Sequence, residues 1–334
     1  MDRKSNPSAV YNIVKVLTVL LVVFAHSTRM YTSGGAFSPL NQSVALAKIT
    51  DYIYIFHMPL FIFVSGAVYG LCIQQGKYEN KLKFIGSKAK RLLIPYFVFG
   101  FLYVAPAMCL MGLTNQGYFT YCFYGIALSQ NSRHLWFLLA LFIIFVCAIF
   151  LRKWLLKAHY TRVLVLGLSG VVYLLAKFAP VTLQLRAAVS YQLFFLLGAV
   201  FHYYYDKVEA LLLKGRWIAV ALPIILLGRF FYCPNAIVLL GYQLVGILMI
   251  FMLAVLLEKR TKFPETKFYR CVKDTSMGIF LFHPMIIYLG YCCLGGKDIP
   301  PILLSVGIAV ASFYASVALT KATRRLKLKI ILGE

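Results

Sequence analysis

The sequence predicts an all-α bundle of about ten membrane-spanning helices, and three observations carry that prediction. Of the 334 residues, 61% are hydrophobic and only 13% are charged, whereas about a quarter of the residues are charged in soluble domains. The mean hydropathy is +0.81. Apolar stretches of about 20 residues, long enough to cross a bilayer as a helix, recur along the chain. These observations exclude an ordinary soluble globular protein.

The predicted spans are the apolar windows of the sequence, taken in chain order. They cover residues 10–30, 52–74, 92–113, 134–151, 162–179, 188–205, 216–232, 235–257, 275–294 and 300–320. Because the number of spans is even, both chain termini are expected on the same side of the membrane. Gly66, Gly241 and Gly246 lie within spans and predict close approach between helices.

Lysine and arginine divide unevenly between the two sets of alternate loops. Of the 34 basic residues, 26 fall in the set that includes both termini, 7 fall in the other set, and Lys15 remains inside the first span. Since cytoplasmic loops carry the excess of basic residues, both termini are predicted to be cytoplasmic. This topology places Lys81 in the cytoplasm and Lys48 outside.

Charge and cysteine content exclude several other classes. The net charge of +24 comes from short basic clusters between apolar runs, which is how membrane topology is encoded, so no nucleic-acid partner is predicted. The eight cysteines form no C-x-x-C pair, and therefore neither a disulfide framework nor a metal site is expected. We expect residues 1–334 to form one integral-membrane domain with no appended soluble domain.

The first span carries two ionisable residues, Lys15 and His26. Eleven residues separate them, which is three helical turns plus about 20°, so both project from one helix face about 16 Å apart. Ionisable groups within a membrane are costly and usually face the bundle interior or a wet cavity. Two structural alternatives remain: Lys15 could extend to the headgroups, and His26 could be a hydrogen-bond partner in helix packing.

Histidine is the most promising catalytic residue type in this sequence. The topology places His26, His57 and His134 at comparable depths near the outer side, and His283 nearer the middle of its span. No Walker A loop, GxGxxG loop, HExxH pair or GxSxG elbow is present. A neutral imidazole can remove a proton from an attacking hydroxyl, so this residue set favours acyl transfer.

The run from Lys77 to Arg91 is the densest basic cluster and ends in Lys88-Ala89-Lys90-Arg91. Such a run can serve simply as a topology anchor that contacts anionic lipid. It can equally bind the phosphates of a nucleotide-bearing donor, because Lys and Arg supply both charge and hydrogen-bond donors. Charge alone favours the topology anchor.

Five motifs in chain order resemble those of the membrane acyltransferase-3 family. They are Lys15-x10-His26, Phe56-His57-Met58-Pro59-Leu60-Phe61 with Ser65-Gly66, Lys88-x-x-Arg91 with Pro95, His134-Leu135-Trp136-Phe137-Leu138, and Ser276-x-Gly278-Ile279-x3-His283. The chain departs from the usual family pattern in having Asn12 where many members carry Asp, and Lys88 where they carry Arg. A member of this family is an integral-membrane O-acyltransferase, similar to the polysaccharide O-acetylases.

The resemblance implies a donor, an acceptor and a set of site residues. The donor would be acyl-CoA, usually acetyl-CoA, acting as a substrate with no bound cofactor, and the acceptor would be a hydroxyl of a surface glycan or lipid-linked saccharide. His26 is the predicted catalytic residue, as a general base or as a transient acyl carrier. The residues predicted to bind the donor are Lys15, Lys88, Lys90 and Arg91, and those predicted to support the acceptor are His57, Arg133, His134 and Trp136.

The alternative hypothesis is a non-enzymatic transporter or exporter of a glycan. Such transporters usually show repeat symmetry and interrupted helices in corresponding halves, and the sequence shows no internal repeat. For either function we expect a multi-pass protein of the cell membrane, most simply a bacterial plasma membrane, with lipid as its surroundings.

Overall fold

The computed structural model describes residues 5–213 and 235–334, and the regular structure within those ranges is helical, without strands. We number the principal helices in chain order. They are α1 (Pro7–Thr28), α2 (Val44–Gln74), α3 (Lys81–Phe99), α4 (Trp136–Lys157), α5 (His159–Leu174), α6 (Leu185–Tyr203), α7 (Tyr205–Leu212), α8 (Ala236–Arg260), α9 (Lys267–Leu294) and α10 (Pro301–Arg325). The all-α prediction is confirmed for these residues.

Eight helical segments in the described part of the chain are long and apolar enough to cross a membrane. They are Pro7–Tyr31, Val44–Gln74, Lys81–Leu110, Arg133–Lys157, Thr182–Tyr203, Ala236–Arg260, Lys267–Leu294 and Pro301–Arg325. The predicted span 162–179 corresponds to α5, a shorter apolar helix of 16 residues. The predicted span 216–232 lies outside the described residues, so the count of ten stays a prediction.

Several helices begin well before their apolar windows. α2 starts at Val44 and α3 at Lys81, whereas the apolar windows start at residues 52 and 92. A hydropathy window finds only the part of a helix that lies in the hydrocarbon core of the membrane. The helix itself can continue beyond that part into the headgroup region or into water. A π-helical turn, Gly100–Val104, continues α3 into the short helix Ala105–Leu110.

Side-chain caps fix the starts of α1, α3 and α9. The Asn6 side chain accepts a hydrogen bond from the Ser8 backbone N–H at the start of α1. The Asn80 side chain accepts from the Lys83 N–H at the start of α3, and Thr266 Oγ1 accepts from Tyr269 N–H at the start of α9. Each cap satisfies a backbone donor that has no partner within the helix.

Glycines set the closest helix approach, which is between α2 and α6. A Cβ at Gly66 would overlap the Phe195 carbonyl group, so only glycine allows the two backbones to meet there. Gly246 on α8 similarly accommodates the Phe56 ring, and a Cβ there would lie 2.5 Å from it. These two predictions are confirmed. For Gly241, a Cβ would meet no atom of residues 5–213 or 235–334 within 4 Å, and this third prediction stays a prediction.

Helix α1 is central and packs against α2, α8, α9 and α10. Near its N-terminal end, Lys15 lines the same cavity as Arg91 of α3. The C-terminal turn Lys329–Leu332 also packs against α3, and a Cβ at Gly333 would overlap the Arg91 carbonyl. Both ends of the described chain therefore lie at one end of the bundle.

The side of the membrane that this end faces can be tested by cysteine labelling. In a cysteine-free background, single cysteines replacing Lys81 and Lys48 should react from opposite sides with an impermeant maleimide, Lys81→Cys from the cytoplasm. The expectation rests on the 26-to-7 division of basic residues between alternate loops. Reaction of both cysteines from one side would contradict the topology.

Candidate functional site: two cavities along one helix

Two cavities lie along α1. The first, of about 530 Å³, is lined by His26, His57 and His134, and we call it the histidine cavity. The second, of about 310 Å³, is lined by Lys15, Lys88, Arg91 and Lys273, and we call it the lysine cavity. The two share no lining residue.

The prediction that one face of α1 is polar at two depths is confirmed. Lys15 and Val19, one turn apart, line the lysine cavity, and His26, about two turns further along, lines the histidine cavity. His26 is half-buried in the wall. Its ring lies 6.1 Å from that of Tyr54 and 5.0 Å from that of His283, measured between ring centroids.

Backbone carbonyl groups orient the other histidines around His26. His57 Nδ1 is 2.9 Å from the Ile53 carbonyl oxygen, and His134 Nε2 is 3.1 Å from that of Leu281. A carbonyl oxygen only accepts hydrogen bonds, so the proton sits on these nitrogens and the second nitrogen of each ring keeps a lone pair. Both rings are therefore held in a defined tautomer by the fold.

His283 lies beside His26 but is not among the predicted site residues. Its side chain is completely buried, its Nδ1 donates to the Ile279 carbonyl at 2.7 Å, and its Nε2 is buried with no hydrogen-bond partner. The Ser312 hydroxyl donates to the His283 carbonyl at 2.9 Å. The ring thus presents an unpaired nitrogen close to His26. The family motif that ends in His283 could have identified this residue from the sequence. It was left out because its predicted depth in the membrane differs from that of the other three histidines.

Polar and aromatic side chains complete the histidine cavity. The remaining lining residues include Arg29, Tyr54, Gln130, Asn131, Ser132, Arg133, Trp136, Gln184, Tyr191 and Tyr288. Trp136 and Tyr191 lie together with their ring centroids 5.5 Å apart. The structure thus brings His57, Arg133, His134 and Trp136 into one wall. Arg29 was not singled out, although it follows His26 by three residues and so shares its face.

In the part of the chain that the structure describes, four cationic side chains line the lysine cavity and no Asp or Glu does. Lys15, Lys88 and Arg91 are brought together there, as the sequence pattern predicts. Lys273 of α9 joins them and was missed, because its position at a span edge gave it the appearance of a topology residue. Lys90, in contrast, is exposed and does not line the cavity, since one residue along a helix turns the side chain by about 100°.

Aromatic rings hold Lys88 in place. Its Nζ lies 4.2 Å from the centroid of Phe145 and 5.3 Å from those of Phe84 and Tyr78, which are distances for favourable cation–π contact. Burial, with Cys72 nearby, raises the pKa of Tyr78 to about 12, so this phenol stays neutral at physiological pH. The Lys88 charge is therefore oriented by these rings but not neutralised by them.

Three phenylalanines of the lysine cavity form a chain of ring contacts that leads to the histidine cavity. Phe61, Phe137 and Phe280 line the lysine cavity, with centroid separations of 5.6 Å for Phe61 to Phe137 and 5.5 Å for Phe137 to Phe280. Phe280 also contacts the His134 ring at 5.5 Å. We call these three side chains the phenylalanine partition.

The comparisons with known proteins give a family but no individual relative. A family model described as "Acyltransferase domain", that of acyltransferase-3, matches residues 9–321. The search of curated proteins and the search of solved structures found no significant match. Residues 9–321 include α1, both cavities and the phenylalanine partition. By the extent of this match, the chain belongs to the acyltransferase-3 family of multi-pass membrane acyltransferases.

Proposed function

We propose that this protein transfers an acyl group, in the simplest case acetyl, from cytoplasmic acyl-CoA to a hydroxyl group of a surface or lipid-linked glycan. The observation that carries the proposal is the pair of cavities on α1. Among the described residues, four cations and no carboxylate line one cavity, and His26, His57 and His134 line the other. A polyanionic donor suits the first, and a hydroxyl acceptor suits the second.

The lysine cavity would receive the donor. Coenzyme A carries phosphate groups, and Lys15, Lys88, Arg91 and Lys273 together offer charge-assisted hydrogen bonds to them. The thioester arm is uncharged and would extend along the apolar side chains that line the rest of the cavity, among them Val64, Val68 and Leu141. The phosphates of the donor would thus lie in the cationic part of the cavity and its thioester arm in the apolar part.

The histidine cavity would receive the acceptor. Saccharides combine many hydroxyl groups with apolar ring faces, and the cavity offers the amides of Gln130, Asn131 and Gln184 beside the rings of Trp136 and Tyr191. Pockets of this kind use a few placed polar groups to orient a ligand. The acceptor hydroxyl would approach the exposed side of the His26 ring.

At His26 the reaction would proceed by proton transfer and acyl transfer. As the acceptor oxygen attacks the thioester carbonyl carbon, His26 takes the hydroxyl proton; the C–S bond then breaks, and the departing CoA sulfur recovers that proton. The products are the O-acyl ester and free CoA thiol. In the other open mechanism, a His26 nitrogen attacks the thioester carbonyl carbon, the C–S bond breaks, and CoA leaves as the thiol with a proton from the imidazolium. The acceptor oxygen then attacks the acyl-imidazole, the N–acyl bond breaks, and the hydroxyl proton returns to the imidazole.

An activity assay on the purified protein distinguishes this proposal from glycan transport. The protein in nanodiscs, supplied with labelled acetyl-CoA and an extract of surface glycans, should release CoA and transfer label to glycan. Mass spectrometry of surface glycans from cells with and without the gene would identify the acylated sugar. Transport of glycan without consumption of acyl-CoA would refute the proposal.

The thioester arm would have to pass the phenylalanine partition to reach His26, and the three rings should keep water away from the thioester there. We expect Phe280→Ala to raise CoA release in the absence of acceptor, because a smaller side chain opens a path between the cavities. The measurement is CoA thiol release from acetyl-CoA without glycan. Phe97→Ala is the matched control, since Phe97 is 38% exposed on the bundle surface and lines neither cavity. An unchanged background rate in Phe280→Ala would contradict the role of the partition.

A further inference from the structure

We infer that the acceptor carries an oxyanion, a phosphate or a carboxylate, which Arg29 and Arg133 bind while a hydroxyl group reaches His26. This inference rests on the proposed function and specifies its acceptor. Both guanidinium groups line the histidine cavity, and none of the described residues that line it is Asp or Glu. An anionic ligand would supply the charge that this wall lacks.

Arg29 is positioned but keeps most of its hydrogen-bond donors. Its Nε donates to the Gly34 carbonyl at 3.1 Å, and its guanidinium carbon lies 4.9 Å from the centroid of the Tyr54 ring. A guanidinium group has five N–H donors, so the Gly34 carbonyl and the neighbouring Tyr54 hydroxyl together leave several of them available to a ligand. Arg29 lies one helical turn beyond His26, which would hold the anion about a turn from the reacting hydroxyl.

The backbone and the side chain of Arg133 both have features that are typical of a ligand-binding residue. Its backbone has φ +49°, and its Nε is buried with no hydrogen-bond partner among the described residues. A terminal nitrogen makes a long hydrogen bond, 3.5 Å, to the Leu113 carbonyl, and the Tyr121 hydroxyl is also a neighbour of the guanidinium group. Left-handed backbone at a residue other than glycine costs free energy and persists where the surroundings enforce it, often at ligand sites. A buried guanidinium nitrogen without a partner is also costly unless a ligand satisfies it.

The loops around Arg133 are linked to hold this geometry. Ser129 and Gln184 also have positive φ angles, 53° and 59°, and the Gln184 side-chain amide donates to the Ser129 carbonyl at 2.6 Å. The Leu183 N–H donates to the Leu128 carbonyl at 3.0 Å. The segment before α4 and the segment before α6 therefore form one rim, which fixes Arg133 over the cavity.

The donor's phosphates do not account for these arginines. Their partners would lie in the lysine cavity, which shares no lining residue with the histidine cavity. The anion must therefore come with the acceptor. Two sources fit the chemistry: the phosphates of a lipid carrier and the carboxylate of an acidic sugar.

Binding of three defined probes to the full-length protein in nanodiscs tests the inference and separates the sources. The probes are a short-chain polyprenyl-diphosphate N-acetylglucosamine, the matched neutral polyprenyl glycoside, and a disaccharide that contains glucuronic acid. We expect at least one charged probe to bind about tenfold or more tightly than the neutral one, because one charge-assisted hydrogen bond strengthens binding by about that factor. Preference for the diphosphate indicates a lipid carrier, and preference for the glucuronate indicates an acidic sugar.

The variants Arg29→Gln and Arg133→Gln should lose that preference. Arg162→Gln is the matched control, because Arg162 has the same kinds of contact, with Nε 2.8 Å from the Leu155 carbonyl and its guanidinium carbon 4.0 Å from the Tyr203 ring, yet lines neither cavity. Equal binding of all three probes by the wild-type protein would overturn the inference without any variant. So would a preference that both arginine variants retain. Transfer of label from acetyl-CoA to an extract of surface glycans, measured on the same samples, tests the proposed function separately.

Discussion

His26→Ala should lower glycan acylation by about 10²–10⁴-fold, the usual contribution of a positioned general base, while the protein still inserts and binds donor. His26 is the histidine on α1 that faces the cavity, and it lies between the rings of Tyr54 and His283. His57→Ala and His134→Ala should leave measurable turnover, because backbone carbonyls hold these rings as parts of the wall. The measurement is label transfer from acetyl-CoA to glycan at matched protein levels.

His159→Ala is the control for loss of a histidine. Its ring is exposed, bonds to the Tyr204 hydroxyl, and lines neither cavity, so its replacement should leave the rate unchanged. A well-folded His26→Ala protein that acylates at nearly the normal rate would show that the catalytic assignment is wrong. His283, whose free Nε2 is buried beside His26, would then be the first residue to test, followed by His57.

Replacing Lys88 and Arg91 together with Gln should raise the Michaelis constant for acyl-CoA by about a hundredfold or more. Each charge-assisted contact contributes about 1.5–3 kcal/mol, and about 1.4 kcal/mol corresponds to a tenfold change in affinity. Both side chains line the lysine cavity, and Lys88 is held among three aromatic rings. The initial rate as a function of acetyl-CoA concentration measures this change.

Lys90→Gln is the matched control, because Lys90 lies between the other two in sequence but is exposed outside the cavity. Its replacement should change donor dependence little. If the double variant keeps its orientation and shows normal donor dependence, the cluster serves as a topology anchor. If Lys90→Gln alone reproduces the effect of the double variant, the donor phosphates lie outside the cavity.

The sequence predicted the helical class because hydropathy and the spacing of apolar windows are local properties. It predicted Lys15 and His26 on one face of α1 for the same reason, since helix geometry fixes their relation. It did not predict helix ends such as Val44 and Lys81, because helices continue into water beyond the apolar window. Nor did it identify the partners that Gly66 and Gly246 meet, Phe195 and Phe56, because those contacts depend on tertiary packing.

The residues that were missed depend on tertiary contacts. Lys273 comes from α9, and its approach to Lys15 and Arg91 is set by the packing of α9 against α1. The loop residues Gln130 and Gln184 carry no periodic pattern, and the hydrogen bond between Gln184 and Ser129 brings their segments together. Resemblance to a family found His57 and His134 as parts of motifs. Only the fold places His283 against His26.

The central claim is that an acyl group passes from CoA at the lysine cavity to an acceptor at the histidine cavity. Its most direct test uses sealed vesicles that contain the purified protein in one orientation, with labelled acetyl-CoA on the side of Lys81 and glycan acceptor on the opposite side. We predict that label appears on glycan across the bilayer in the wild-type protein and not in His26→Ala. Movement of unlabelled glycan with no loss of acetyl-CoA, or equal labelling by both proteins, would contradict the claim.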